Sequence, residues 1–342
     1  MKTIETVNAV GHVLCHDITK IVRGEIKDVA FKKGHIVTKE DIPALLSLGK
    51  DNLYVWEKRE GYLHENEAAQ ILYELCTNEN ISPSDVKEGK INLIADCDGL
   101  LKVDVERLTN INELDDIIIA SRHTNFPVKK GDKLAGTRVI PLVIKEDKLK
   151  QAKIIGGEKP LLELKPYKKM KVGIVTTGNE VYYKRIKDAF GPVIFKKLEQ
   201  FNITEVSQVI VNDDKEKITE SIKNFITQGV DMVITTGGMS VDPDDKTPGA
   251  IKDTGAEIIS YGAPVLPGAM FLMSYYEGIP VIGLPGCVMY AKTTIFDLVL
   301  PRILTGEKIT KKYLAGLGLG GLCLECEKCV YPNCSFGKGS EF

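Results

Sequence analysis

From Met170 onward the chain alternates short apolar runs with amphipathic segments, and this rhythm restricts the fold more than any other feature. Residues 171–176, 205–211, 231–235 and 280–284 read as strands; 191–201, 213–228, 247–253 and 288–304 read as helices. The helix over 213–228 is the best patterned, with Ile218, Ile222, Phe225 and Ile226 on one face and Gly229 past its end. Such alternation implies a parallel sheet with helices on both faces. Ligands of these sheets sit outside the carboxyl ends of the strands.

Three of those carboxyl ends carry unusual sequence. The first continues as Thr176-Thr177-Gly178-Asn179-Glu180. The third continues as Thr235-Thr236-Gly237-Gly238-Met239-Ser240-Val241-Asp242-Pro243-Asp244-Asp245-Lys246-Thr247-Pro248, and the later strand as Gly283-Leu284-Pro285-Gly286-Cys287. Glycines let backbone N–H groups approach a ligand, and hydroxyls add donors, so the rim suits a phosphate. Carboxylates beside a phosphate call for a divalent cation, and Glu180, Asp242, Asp244, Asp245 and the pair Asp213-Asp214 are candidates to hold magnesium or meet a metal oxyanion. One such loop alone would be an ordinary turn; three after successive strands point to a site. A Walker-type glycine-lysine-serine/threonine loop is absent, which argues against a P-loop nucleotide hydrolase.

The first part of the chain follows a different grammar. A helix is expected over 39–49 with Thr38 as its N-cap, then a strand over 52–56 and an amphipathic helix over 65–77. Residues 90–145 read as mostly β, and a lysine-rich bridge over 145–153 leads on to Gly156-Gly157 and Lys165-Pro166. The expected organisation is a first segment over 1–58, a mixed helical and β-rich region over 59–168, an α/β domain over 169–308 and a glycine-rich linker with a cysteine module over 309–342.

Charge narrows the partners. With 45 basic and 47 acidic residues among 342, no global field recruits a polyanion, so nucleic acid is not expected and an anionic ligand must be held by local donors. The apolar stretch over 262–291 is broken by Pro264, Pro267, Glu277, Pro280 and Pro285, and the opening residues lack a signal-peptide core. A cytoplasmic protein with reduced thiols and no membrane partner is expected.

The eight cysteines divide sharply. Cys15, Cys76 and Cys97 read as half-buried packing residues, and Cys287 sits on the proposed rim. Cys323, Cys326, Cys329 and Cys334 crowd into the last twenty residues, dense enough to converge on one metal centre: an iron–sulfur cluster, by the spacing of the first three, or a four-cysteine zinc site. Residues 316–321 are glycine-rich without a following strand-helix unit, and read as a flexible linker to this module.

At this point residues 170–306 resemble the molybdopterin-binding domain shared by molybdenum-cofactor adenylyltransferases and molybdotransferases. The matching pieces are Thr177-Gly178-Asn179-Glu180, Asn212-Asp213-Asp214, Thr236-Gly237-Gly238-Met239-Ser240, Asp245-x-Thr247-Pro248 and Gly283-Leu284-Pro285-Gly286. The resemblance implies a three-layer α/β/α fold, often oligomeric, with the pterin phosphate or adenylate at this rim. The first segment resembles the molybdotransferase branch through Gly11-His12-Val13-Leu14, Asp17-Ile18 and Phe31-x-x-Gly34. That branch inserts molybdenum from molybdate into adenylated molybdopterin with magnesium.

On that resemblance Asp213 and Asp245 are the candidates for the metal-linked step, with Glu180 supporting, although Asp213 could equally cap the helix that follows it. Thr177, Gly178, Asn179, Gly237, Gly238, Ser240, Thr247, Pro285 and Gly286 are the candidates for holding the cofactor. Two departures bear on activity: Asn179 stands where the family carries aspartate, and Leu266-Pro267-Gly268-Ala269 lacks the lysines of the molybdotransferase branch. The expected function is molybdotransferase-like. Its alternatives are a carrier that passes the cofactor to a client molybdoenzyme, and the adenylyltransferase step.

Overall fold

The structure, a computed structural model, describes residues 2–22, 26–55, 60–240, 242 and 245–339. The chain forms two compact units: Met1–Asp96, Val103–Arg122 and Gly131–Glu163 make the first, and Cys97–Lys102, His123–Lys130 and Leu164–Phe342 the second.

In the second unit a six-stranded sheet is built from β1 (Val172–Thr177), β2 (Val206–Val211), β3 (Met232–Thr236), β4 (Glu257–Tyr261), β5 (Leu272–Tyr276) and β6 (Ile279–Leu284). The order is β2-β1-β3-β6-β5-β4. The first four are parallel, with Thr177 opposite Val211 and Thr236 opposite Leu284, while β5 and β4 add an antiparallel edge. All six residues of β1 are buried, as expected for a central parallel strand covered on both faces.

The pleat sends alternate residues to two cores. Val172, Ile174, Ile234 and Ile282 pack with α1 (Phe190–Glu199), through Ile194 and Leu198, and with the helix later in the chain that carries Phe296 and Val299. Val175, Val233 and Val281 pack with α2 (Lys215–Thr227), through Ile218, Ile222 and Phe225, and with α3 (Thr247–Asp253), through Ala250 and Ile251. The unit is therefore a three-layer α/β/α sandwich, as the alternating sequence predicts.

The last long helix, α4 (Ile295–Leu304), begins seven residues later than expected. Thr294 caps it by accepting from Phe296 N while Asp297 accepts from Thr294 N, and this capping box fixes the start; Gly286–Met289 forms a separate 3₁₀ turn. Beyond α4, α5 (Lys311–Gly316) buries Tyr313 and Leu314, and Leu317 is buried after it. The glycine-rich run is thus packed backbone rather than a flexible linker: Leu266 N donates to Gly321 O, and Cys323 N to Leu266 O, each at 2.8 Å. The returns of the chain into this unit pair as a small ladder, Phe126 opposite Leu101 and Val128 opposite Gly99.

The first unit contains a four-stranded antiparallel sheet of Ile81–Pro83, Lys90–Ala95, Lys133–Val139 and Ile117–Ser121. The helix Glu65–Cys76 buries Ala68, Ala69, Leu72 and Cys76, and His64 closes its capping box with Glu67. Residues 90–145 are mostly β, as expected, and two helices were not read from the sequence. Residues 90–145 include a helix, Val105–Asn112, because Asp104 accepts from Arg107 N and caps it. The lysine-rich bridge is also a helix, Glu146–Gly156: Leu149 and Ala152 are buried while the lysines face outward, and Gly157 at φ +63° ends it. Near the start, Thr38 is not the N-cap of Asp41–Ser47; its hydroxyl donates to the Asp41 carboxylate instead. The strand expected over 52–56 is Asn52–Val55, and Trp56 lies outside the described residues.

Candidate functional site

The carboxyl ends of β1, β3 and β6 lie side by side because the strands are neighbours in the sheet. Threonine hydroxyls stitch these ends together. Thr177 Oγ1 and Thr247 Oγ1 are 3.2 Å apart, and Thr247 Oγ1 donates to Gly237 O at 2.8 Å. The Thr247 amide donates to Gly238 O at 3.2 Å. One residue back along β1, Gln208 Nε2 donates to Thr176 Oγ1 at 2.8 Å and to Asp188 at 2.7 Å, and Thr236 Oγ1 donates to Thr176 Oγ1 at 3.3 Å.

A cavity of about 590 Å³ opens beside these ends. Gly237, Gly238, Ser240, Asp245, Pro285 and Gly286 line it, six of the residues expected from sequence, together with Asp242 and Cys287. Phe190, Met239, Tyr290 and the stretch Leu266–Met270 complete the wall. Thr177, Gly178, Asn179, Glu180, Asp213 and Thr247 do not line it; Thr177 and Thr247 back the Gly237-Gly238 turn, and Asp213 is bonded to Asn179. Asp244 lies outside the described residues.

Asp213 and Asp214 have separate roles. Asp214 caps α2, its carboxylate accepting from the amides of Glu216 at 3.0 Å and Lys217 at 3.3 Å. Asp213 accepts from Asn179 N at 2.9 Å, which ties the loop after β1 to the loop after β2. Of the two roles weighed for Asp213, helix capping falls to its neighbour. Glu180 is exposed, while Asp242 and Asp245 are carboxylates in the cavity wall, and Asp245 N donates to Asp242 O at 2.9 Å.

Sequence reasoning missed Phe190, Tyr290 and Tyr261. The Tyr261 hydroxyl donates to Met239 O at 2.8 Å, bracing the loop after β3 from the edge strand. Burial raises its pKa, and the Asp245 charge adds to the rise, so Tyr261 stays a neutral donor. Burial also raises the Cys287 thiol in the wall, keeping it protonated at neutral pH. Phe190, Tyr290 and Tyr261 come from separate elements, and no local motif marks their approach to this end of the sheet.

The cavity has features of a ligand site. Its volume is in the range of small-molecule pockets. Gly286 is exposed and meets no atom within 4 Å where a side chain would start, so its backbone faces open space. Hydroxyls, close-approach glycines and two carboxylates fit a phosphorylated organic ligand with an oxygen-loving cation.

The four clustered cysteines line a second cavity, of about 330 Å³. Cys323 and Cys334 are half-buried against the core and Cys326 and Cys329 are exposed; among the described residues no three His, Cys, Asp or Glu side chains are grouped to hold a single ion. Cys15 and Cys76 are fully buried, and burial pushes Cys76 up to about 12, the behaviour of packing residues. Cys97 is half-buried.

Comparison with known proteins agrees with the motifs. Residues 173–305 match the family described as "Probable molybdopterin binding domain", and residues 3–57 match a domain of unknown function. A molybdopterin molybdenumtransferase of Synechococcus elongatus is 26% identical over 158 residues, 43% of this chain and 39% of that protein. A CinA-like protein of Mycobacterium avium is 35% identical over 77 residues, 22% of this chain and 18% of that one. Among solved structures, the tungsten cofactor synthesizing protein MoaB from Pyrococcus furiosus covers 40% of this chain and 92% of its own, at 23% identity and a TM-score of 0.33. The chain thus spans about two-fifths of the length of the molybdenumtransferase it matches. No described helix is long and apolar enough to cross a membrane.

Proposed function

We propose that the chain, whose residues 173–305 match the probable molybdopterin binding domain, acts in molybdenum cofactor biosynthesis as a molybdotransferase-like enzyme. Its substrates on this reading are adenylated molybdopterin and molybdate. The observation that carries it is the 590 Å³ cavity at the carboxyl ends of β3 and β6, walled by Gly237, Gly238, Ser240 and Gly286 with Asp242 and Asp245 beside them.

The residues divide the work. Gly237 and Gly238 bring main chain up to the phosphate end of the ligand, held in place from behind by Thr177 and Thr247. Asp242 and Asp245 would hold Mg²⁺, which supplies neutralisation of phosphate and molybdate oxygens when bound. Asp213 positions the Asn179 loop. Phe190, Met239 and Tyr290 offer apolar surface to a pterin ring. The C-terminal thiols complete the proposal as a metal module, iron–sulfur or zinc, and a cytoplasmic homo-oligomer serving a client molybdoenzyme is its setting.

One observation favours a carrier as the second reading: Leu266, Pro267, Gly268 and Ala269 present no cationic side chain to the cavity, leaving an oxyanion there without a lysine partner. Incubating the full chain with adenylated molybdopterin, molybdate and Mg²⁺ separates the two. The enzyme forms active cofactor and releases AMP, and Asp245→Ala removes this at least 100-fold in rate, by analogy with the loss of other charge-stabilising groups, about 3 kcal/mol. Intact pterin binding with no cofactor formed would replace the enzyme by the carrier.

A further inference from the structure

The sequence places three cysteines at two-residue gaps and a fourth five residues on, and the fold turns all four toward one cavity of about 330 Å³. The segment carrying them is held firmly. Two backbone hydrogen bonds clamp its start to Leu266, Lys292 Nζ donates to Glu327 O at 2.7 Å, and Tyr331 donates its hydroxyl to Asp297 O at 3.0 Å. Phe336 is buried in the core below. Cys323 and Cys334 are half-buried and Cys326 and Cys329 exposed, so the cavity they line opens to solvent on the side of the middle two.

The shape of the cavity separates two kinds of metal centre. A single tetrahedral zinc holds its sulfurs about 2.3 Å away, so the four would sit within about 4 Å of each other and leave no void between them. Here the four thiols line a cavity of about 330 Å³. A multi-iron cluster interposes its own sulfides and needs that space. Donor chemistry agrees: the residues lining the cavity include the four thiols and no histidine. Leu322, Val330, Tyr331 and Phe336 give the cavity an apolar lining, and Thr293 Oγ1 lies 3.3 Å from Cys329 Sγ, the outer-shell hydrogen bond such centres use.

The cavity also has a shared wall. Pro267 and Tyr290 line both it and the candidate pterin cavity, and the first cysteine is hydrogen-bonded to Leu266, the residue before that wall. We propose that Cys323, Cys326, Cys329 and Cys334 ligate an iron–sulfur cluster in this cavity, set against the Pro267 and Tyr290 wall of the pterin cavity. Only the second half of the proposal, its neighbour, rests on the pterin reading.

The full chain, purified anaerobically and reconstituted with ferrous iron and sulfide, tests it. The expected result is bound iron and acid-labile sulfide in near-equal amounts and a broad visible charge-transfer band that dithionite bleaches. Cys326→Ser and Cys329→Ser alter exposed side chains and so should fold, yet lose most of the band, while Cys97→Ser keeps it. One zinc per chain with no visible band after reconstitution, or a band that survives both serine variants, overturns the proposal. Binding of molybdopterin without iron loading sinks the cluster alone; iron loading without pterin binding sinks the pterin reading and leaves the cluster standing.

Discussion

Gly237 has φ +83°, and a side chain placed on it would run into the Thr177 carbonyl, so the loop after β3 can approach β1 only with glycine there. Gly286 is the opposite case: exposed, without positive φ and with open space where its side chain would begin. The pair yields a paired prediction. Gly237→Ala should lose about 1–3 kcal/mol of stability from the imposed backbone alone, read as a lower denaturant midpoint. Gly286→Ala should leave the midpoint within about 0.5 kcal/mol of the parent and weaken pterin binding. Equal stability losses in both would mean that Gly286 is packing, not part of a ligand wall. Both glycines were legible in sequence because loops after strands are local patterns. Tyr261, Phe190 and Tyr290 were not, since what matters about them is which distant loop they brace or face, and that is set by the sheet order.

At the level of elements the parallel sheet was legible and the first unit was less so, for one reason. Strands buried on both faces become continuous apolar runs, whereas Val105–Asn112 and Glu146–Gly156 are largely exposed, polar helices whose signals are a cap and a few buried positions. The α2 helix shows what a strong signal reports. Its Phe225 ring lies 2.5 Å from where a Gly173 side chain would start, so that glycine in β1 exists to admit the ring. Phe225→Ala should cost about 3–5 kcal/mol, since the ring fills the layer between α2 and β1 and the backbone cannot close the gap. Urea unfolding followed by circular dichroism measures it. A loss under about 1 kcal/mol would mean that α2 can settle onto the sheet without the ring.

Across the whole second unit, one carboxylate holds together stretches far apart in sequence. Glu307 meets Lys102 at 3.2 Å, Lys165 at 3.1 Å and Arg302 at 2.9 Å, with only 14% of its side chain exposed. Lys102 belongs to the short return Cys97–Lys102, so the ion pair fastens that return to the unit from 205 residues away. Burial alone would raise the Glu307 carboxyl; Arg302 and Lys102 outweigh it and hold the pKa below the ordinary value of 4.5. A depressed carboxylate pKa contributes stability fully above the unfolded value, and the contribution is lost as pH falls through the folded one. Glu307→Gln should therefore unfold at a lower denaturant midpoint at pH 7, by roughly 1–3 kcal/mol for the partners left unpaired. The gap between variant and parent should shrink as both are taken below pH 4.5, where the parent's carboxylate protonates as well. A gap that stays constant between pH 7 and pH 3 would assign Glu307 a packing role and leave the return of 97–102 held by its strand pairing and by the contacts of Asp98 with Lys129 and Lys130.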